Sequence, residues 1–206
     1  MSDSLGDKIK MAQKKKIAIT ENAPAVLTFA RLALIILAVN YFTKGKSNAL
    51  LFSVYRSPIS VFWVIRLFGH VLGHASISHF VGNMTLFLLL GPILEEKYGS
   101  WRLVLMMALV AVVSGLVNII FFPGTALLGA SGIVFMMIIL VSALDMRKGE
   151  IPHTMILVMV IYLGSEVVNM VTVHDNISHL THLIGGLIGA VLGAVFAARQ
   201  SSFRHN

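Results

Sequence analysis

Residues 127 to 141 read LLGASGIVFMMIILV, a hydrocarbon run interrupted once near its start by a serine set among the smallest residues available, Gly129-Ala130-Ser131-Gly132. A helix apolar on every side belongs inside a large core or inside a bilayer. The chain around it decides between the two. Of 206 residues, 57% are apolar and 12% charged, against roughly a quarter charged in ordinary soluble domains. The reading is a polytopic membrane protein, all-α. The formal charge of +7 does not point to nucleic acid, because the lysines and arginines avoid the apolar runs and gather at their ends, with no basic stripe interleaved with aromatics. There is no cysteine, which removes disulfides, thiolate metal sites and a cysteine nucleophile. Eleven methionines suit irregular packing between helices.

A bilayer core asks for about 20 mostly apolar residues per helix. Six stretches meet that demand, near 24–43, 76–94, 101–121, 127–144, 154–173 and 178–198. They predict a membrane domain over 24–198, a basic tail over 1–23 and a short tail over 199–206, with nothing left for a soluble domain. The five lysines within the first sixteen residues resemble a secretory signal, but the apolar stretch after them is too long for a signal core and has no small-residue cleavage site, so it is read as the first span. Pro24 suits its first turn. Arg31 within it is expected to face the bundle or reach toward the headgroups. The long connection from Lys44 to Ala75 holds Pro58, Trp63, Arg66 and Phe68, a mixture expected to be partly structured and to dip into the interface.

Counting Lys and Arg at alternate span ends, with Arg31 set aside, places eleven on the side of the termini and four on the other. The positive-inside tendency then predicts both termini in the cytoplasm of an integral plasma-membrane protein. In that orientation the second, fourth and sixth spans all begin at the outer face. Ser131 and His182 each fall four residues into their expected spans, about 6 Å deep at ~1.5 Å per residue. His79 and Asn83, four apart near the start of the second span, point the same way. Four polar side chains thus share one shallow layer.

A lone serine in a membrane helix usually bonds back to its own backbone. Here Gly129 and Gly132 clear the space around it. Downstream, His182-Leu-Ile-Gly185-Gly186-Leu-Ile-Gly189 sets glycines at four-residue spacing below a histidine, a face that lets two helix backbones come close. Against the fourth span, imidazole and hydroxyl come within reach, and imidazole can take the serine proton and return it to a leaving amine. Packing alone explains the glycines but not the histidine above them. Asp175 and Glu166 offer no obvious acidic partner, so a Ser131–His182 pair is expected, with Phe135, one turn on from Ser131, as a ring for the imidazole to lie against. His79, Asn83 and the Ser131 amide can donate to an oxyanion. His79 and Asn83 could instead form an interhelical polar clamp. The glycine register favours His182 over His179 as the base. His70, His74 and His79 could suggest zinc, but neither a carboxylate or thiolate partner nor a His-Glu-x-x-His pattern accompanies them, so His70 and His74 are read as loop-ordering or donor residues. No metal and no cofactor is expected.

These residues resemble the rhomboid intramembrane serine proteases. The likeness rests on Gly129-Ala130-Ser131-Gly132, on His79-x-x-x-Asn83, and on His182-x-x-Gly185-x-x-x-Gly189, in that family's order and helices. It extends to His70-Val-Leu-Gly-His74 and to Glu95-Glu96-Lys97-Tyr98-Gly99-Ser100, and covers about 24–198. The resemblance implies a six-helix bundle in which Ser131 is the nucleophile, His182 the base, and His79 and Asn83 the oxyanion donors, with Gly129 shaping the approach. It departs from the family in three places. Arg66 follows Ile65 with Trp63 earlier, where the family often has Trp-Arg. Phe135 stands where a tyrosine commonly packs on the histidine. Gly91-Pro92 replaces a Gly-Gly that often ends the second helix.

The expectation is a serine endopeptidase that cleaves single-spanning membrane proteins near the outer face, embedded in a lipid bilayer. Its substrates would unwind easily where cut. The fifth helix and the loop at 173–177 are expected to form the side gate, with Glu166 and Asn169 lining the cavity or paired structurally. The competing expectation is a rhomboid-like protein that holds membrane helices without cutting them. A transporter is disfavoured by the lack of broken paired helices. Nothing in the sequence specifies an oligomeric state.

Overall fold

The computed structural model describes residues 21–144, 146, 150–164, 167 and 176–202, with side chains described for all of these except 176–178 and 199–202. Glu166, Asn169 and Asp175 lie outside the described residues. The architecture is all-helical, with elements α1 (Pro24–Phe42), α2 (Lys46–Leu51), α3 (Val61–Gly69) running into a 3-10 turn (His70–Leu72), α4 (Ile77–Tyr98), α5 (Ser100–Phe121), α6 (Ser131–Ser142), α7 (His153–Val158) continued by a π turn (Met159–Leu163), and α8 (Asn176–Ser202). Among the described residues the only extended pairing is a single antiparallel bridge, Val54 to Leu127. Among the described residues four helices are long and apolar enough to cross a membrane: α1, α4, α5 and the His179–Ala198 part of α8.

The fourth expected span is shorter than its apolar run. The helix is Ser131–Ser142, 12 residues, not 127–144, because residues before Ser131 are drawn into other bonds. Leu127 exchanges both backbone hydrogen bonds with Val54 at 2.9 Å, and the Gly129 N–H donates to the His70 carbonyl at 2.9 Å. The all-round apolarity of α6 has a simple cause: it is the central helix. Ile133, Met136, Met137, Ile139 and Leu140 are fully buried, with α4, α5, α7 and α8 packed against it, α8 most extensively.

Glycines set the closeness of that last contact. A Cβ built on Gly185 would overlap the Gly132 carbonyl, and one on Gly189 would come within 2.6 Å of the Met136 oxygen. Farther along, Gly193 faces Ala143. The same device joins α1 to α4, where a Cβ on Gly91 would sit 2.7 Å from Val26. Pro92 does not end the helix there, and α4 runs on to Tyr98 rather than closing near residue 94.

Two polar anchors fix the rest. Buried Glu95, near the end of α4, accepts from the Ala25 and Val26 amides, each at 2.9 Å, and from the Ser100 hydroxyl at 2.6 Å. A carboxylate thus satisfies free donors at the start of α1, where the helix dipole also favours it. Arg31 faces away from the bundle and pairs with Glu21, both exposed. In the long connection, buried Arg66 donates to the Tyr55 hydroxyl (3.0 Å), the Ser57 hydroxyl (2.6 Å) and the Leu50 carbonyl (3.5 Å), with its guanidinium over the Tyr55 ring. Arg66 therefore ties the connection without an adjacent tryptophan. Ile59, Val61, Phe62 and Phe68 remain exposed around it, an apolar surface suited to the interface.

Candidate active site

α4 begins at a serine cap: the Ser76 hydroxyl accepts from the His79 amide at 3.1 Å, satisfying one of the free donors of the first turn. That cap sets His79 two residues into the helix. Its imidazole lies against the backbone of Gly129, where a Cβ would meet His79 Cε1 at 2.8 Å and Nε2 at 2.9 Å. Gly129 has φ +125°, a conformation open to glycine and strained for other residues. Both its backbone angle and the imidazole beside it therefore require the missing side chain. Asn83, buried one turn below His79, donates from its amide to the His79 carbonyl at 3.0 Å. An amide carries two hydrogens, so one remains for another acceptor.

Ser131 is the first residue of α6. The expectation that it lies four residues inside a helix is corrected, as Leu127 is bridged to Val54, Gly129 takes φ +125° and Ala130 is the cap residue before the helix. His182 lies six residues into α8, which starts at Asn176, two positions deeper than expected. Its imidazole stacks on Phe135 with centroids 4.2 Å apart and planes 4° from parallel. Ser131 and Phe135, four apart, share a helix face, so the ring that holds the imidazole stands one turn from the serine. His179 lies edge-on to His182 at 6.4 Å. Gly132 lies against α8 as well, a Cβ there meeting the Thr181 side chain at 2.9 Å.

The structure thus brings together Gly129 with His79, Phe135 with His182, and Gly132 with Gly185 and Thr181. It places Asn83 on the same helix face as His79, with one amide hydrogen engaged locally. Three contributors were not expected. Asn118 on α5 donates to the carbonyls of Val54 (3.0 Å) and Thr125 (3.3 Å), and its own oxygen accepts from the Thr125 hydroxyl (3.2 Å), clamping the loop that leads to Ser131. Tyr162, in the π turn, meets Phe135 edge-on at 6.1 Å. Leu163 rests on the bare backbone of Gly186. An asparagine in an apolar helix was the one available signal, since such a group must find a partner.

His70 and His74 order the loop. His70 Nε2 donates to the Ala111 carbonyl at 3.0 Å and His74 Nδ1 to the Leu72 carbonyl at 3.1 Å. Burial holds both imidazoles neutral: the pKa of His70 is lowered to about 4 against the favourable Ala111 bond, and that of His74 to about 4 with the His79 imidazole adding to the effect. Among the described residues no group of three or more His, Cys, Asp or Glu is arranged to hold a metal.

Residues 62–199 match the Rhomboid domain family. The chain is 27% identical over 139 residues to Rhomboid-related protein 1 of Caenorhabditis elegans, a match covering 63% of this chain and 39% of that relative. The chain therefore spans well under half of the curated relative it matches.

Proposed function

The chain belongs to the rhomboid family, and on that premise we propose that it is an intramembrane serine endopeptidase working through Ser131 and His182. The observation that carries the reading is the imidazole of His182 stacked on Phe135, one turn along α6 from a serine at a helix start. In the proposed reaction the Ser131 hydroxyl attacks a peptide carbonyl while His182 takes its proton. The oxyanion accepts from His79, from the free amide hydrogen of Asn83 and from the Ser131 N–H, each well-placed donor contributing roughly 3 to 4 kcal/mol. His182 then protonates the leaving amine, and water releases the acyl group by the same steps in reverse order of roles.

The proposed bundle has six spans, with α6 and the α7 region as its short fourth and fifth members, both termini cytoplasmic, and tails at 1–23 and 199–206. The substrate is a single-spanning protein whose helix unwinds near the outer face. Access runs past the α7 region, where Leu163 against Gly186 is the contact to be broken. The test is labelling by a serine-directed fluorophosphonate, with cleavage of a panel of single-span helices read by mass spectrometry. Wild type is expected to label and cut, and Ser131→Ala and His182→Ala to do neither. A wild-type protein that binds the helices yet leaves them whole and unlabelled is a non-catalytic member of the family.

A further inference from the structure

A groove of about 480 Å³ runs between α1 and α5, and none of its lining residues belongs to the candidate active site. Its walls are carbon: Phe29 and Leu32 on one side, Val104, Met107 and Ala108 on the other. One end lies at Pro24, Ala25 and Ser100, where both helices begin, and the other is lined by Phe68, Val71 and Leu72. From Ser100 to Ala111 the rise is ~16 Å, which matches the ~15 Å of hydrocarbon in one leaflet. An apolar space of this kind gains nothing from water and forfeits dispersion contacts if left empty.

A second cavity, about 520 Å³, shares Pro24 and Ser100 with the groove and is lined by Asn22, Glu95 and Glu96, with no lysine or arginine. Glu95 is already bonded to Ala25, Val26 and Ser100. Glu96 is exposed and presents the negative charge. Carbon over one leaflet's depth, continuous with an acidic polar mouth at the membrane boundary, is complementary to one kind of molecule.

We propose that the groove seats one phospholipid acyl chain from the leaflet at the Pro24 end, with an ammonium-bearing head group beside Glu96. The assignment goes beyond the proteolytic reading and needs only that the chain spans a membrane. It gives the lipid a place in the working of the site. The buried tip of the chain packs against Val71 and Leu72, in the turn where His70 donates to Ala111 and accepts from the Gly129 amide. Occupancy braces the turn from which the serine loop hangs.

The experiment uses the full chain in nanodiscs of phosphatidylethanolamine and phosphatidylglycerol, doped with phosphatidylethanolamine carrying a diazirine either at the acyl terminus or near its carbonyl. After irradiation, adducts are mapped by peptide mass spectrometry. The terminal probe should mark Leu72, Met107 and Ala111, the other probe Ala25 and Ser100, each above the outward-facing Leu34, Leu89 and Val191 by about tenfold, as ~1.4 kcal/mol of preference would give. Ala108→Phe, and Ala108→Leu if the larger ring unfolds the protein, should remove the groove adducts and leave those at Leu34 and Leu89. Equal labelling of groove and outer positions, or groove adducts that survive both fillings, overturns the site. Equal labelling by a phosphatidylglycerol probe overturns the head-group assignment. The same mapping on Ser131→Ala gives the same pattern whether or not the protein is a protease, so the two readings fail separately.

Discussion

Replacing Gly185 by alanine tests the contact on which the site depends. The added Cβ would come within 2.8 Å of the Gly132 carbonyl carbon and nearer still to its oxygen, whereas carbon atoms rest at about 3.5 to 4 Å. Both obstacles are backbone in the first turn of α6, so no side chain can turn aside. The helices must part by roughly 0.7 Å or more at this level. His182, three residues earlier on the same face of α8, moves with them, while Ser131 stays with α6. Overpacking of this kind costs about 1 to 3 kcal/mol, and if Ser131 and His182 react as proposed, a displacement approaching 1 Å between them costs on the order of a hundredfold in rate. The expected result is a folded, less stable protein whose fluorophosphonate labelling rate falls by about that factor. Gly189→Ala should lose less, and Gly193→Ala, facing the side chains of Ala143 and Leu140 and no backbone, least. Gly82, with nothing within 4 Å, supplies the control, and alanine there should be neutral or stabilising by up to ~1 kcal/mol. A Gly185→Ala protein that labels at the wild-type rate and melts at the wild-type temperature would refute the packing of α6 on α8.

Phe135→Leu should keep the fold but slow labelling, because the imidazole loses its parallel ring; labelling unchanged across Phe135→Leu and Phe135→Tyr would show that the stack has no part in the reaction. Glu95→Gln should lower stability by about 1 to 2 kcal/mol, read as the midpoint of denaturation in mild detergent, with Ser100→Ala losing less; equal midpoints would remove the α1 clamp. Acidification should destabilise the loop. With the folded pKa of His70 and His74 at about 4 and the unfolded value near 6.5, the unfolded chain binds more protons between those limits, so stability falls as pH drops from about 6.5 to about 4 and levels off on either side. The loss is on the order of 3 kcal/mol for each histidine, and a melting temperature that rises through that window would contradict it.

Hydropathy made the long helices legible because α1, α4, α5 and α8 are apolar over a whole membrane thickness, and the glycine register pointed to His182 because a bare face is local in sequence. Periodicity could not show where α6 begins. Leu127 and Leu128 are as apolar as the helix itself, and they leave it because Val54 and His70, far off in the chain, capture their segment's backbone. The partners of Arg66 and the role of Asn118 were hidden for the same reason: a buried polar side chain announces that it has a partner and not which one. The serine's neighbours could be read as small, but the positive φ of Gly129 becomes evident only once the His79 ring lies beside it.

The Glu95 clamp also fixes an order of events. The amides of Ala25 and Val26 are completed by oxygens about seventy positions later in the chain, so α1 is synthesised before the group that closes it. Until Glu95 has been added, those amides lack the carboxylate that serves them in the fold. α1 is therefore made early and locked late, by the helix pair that follows it.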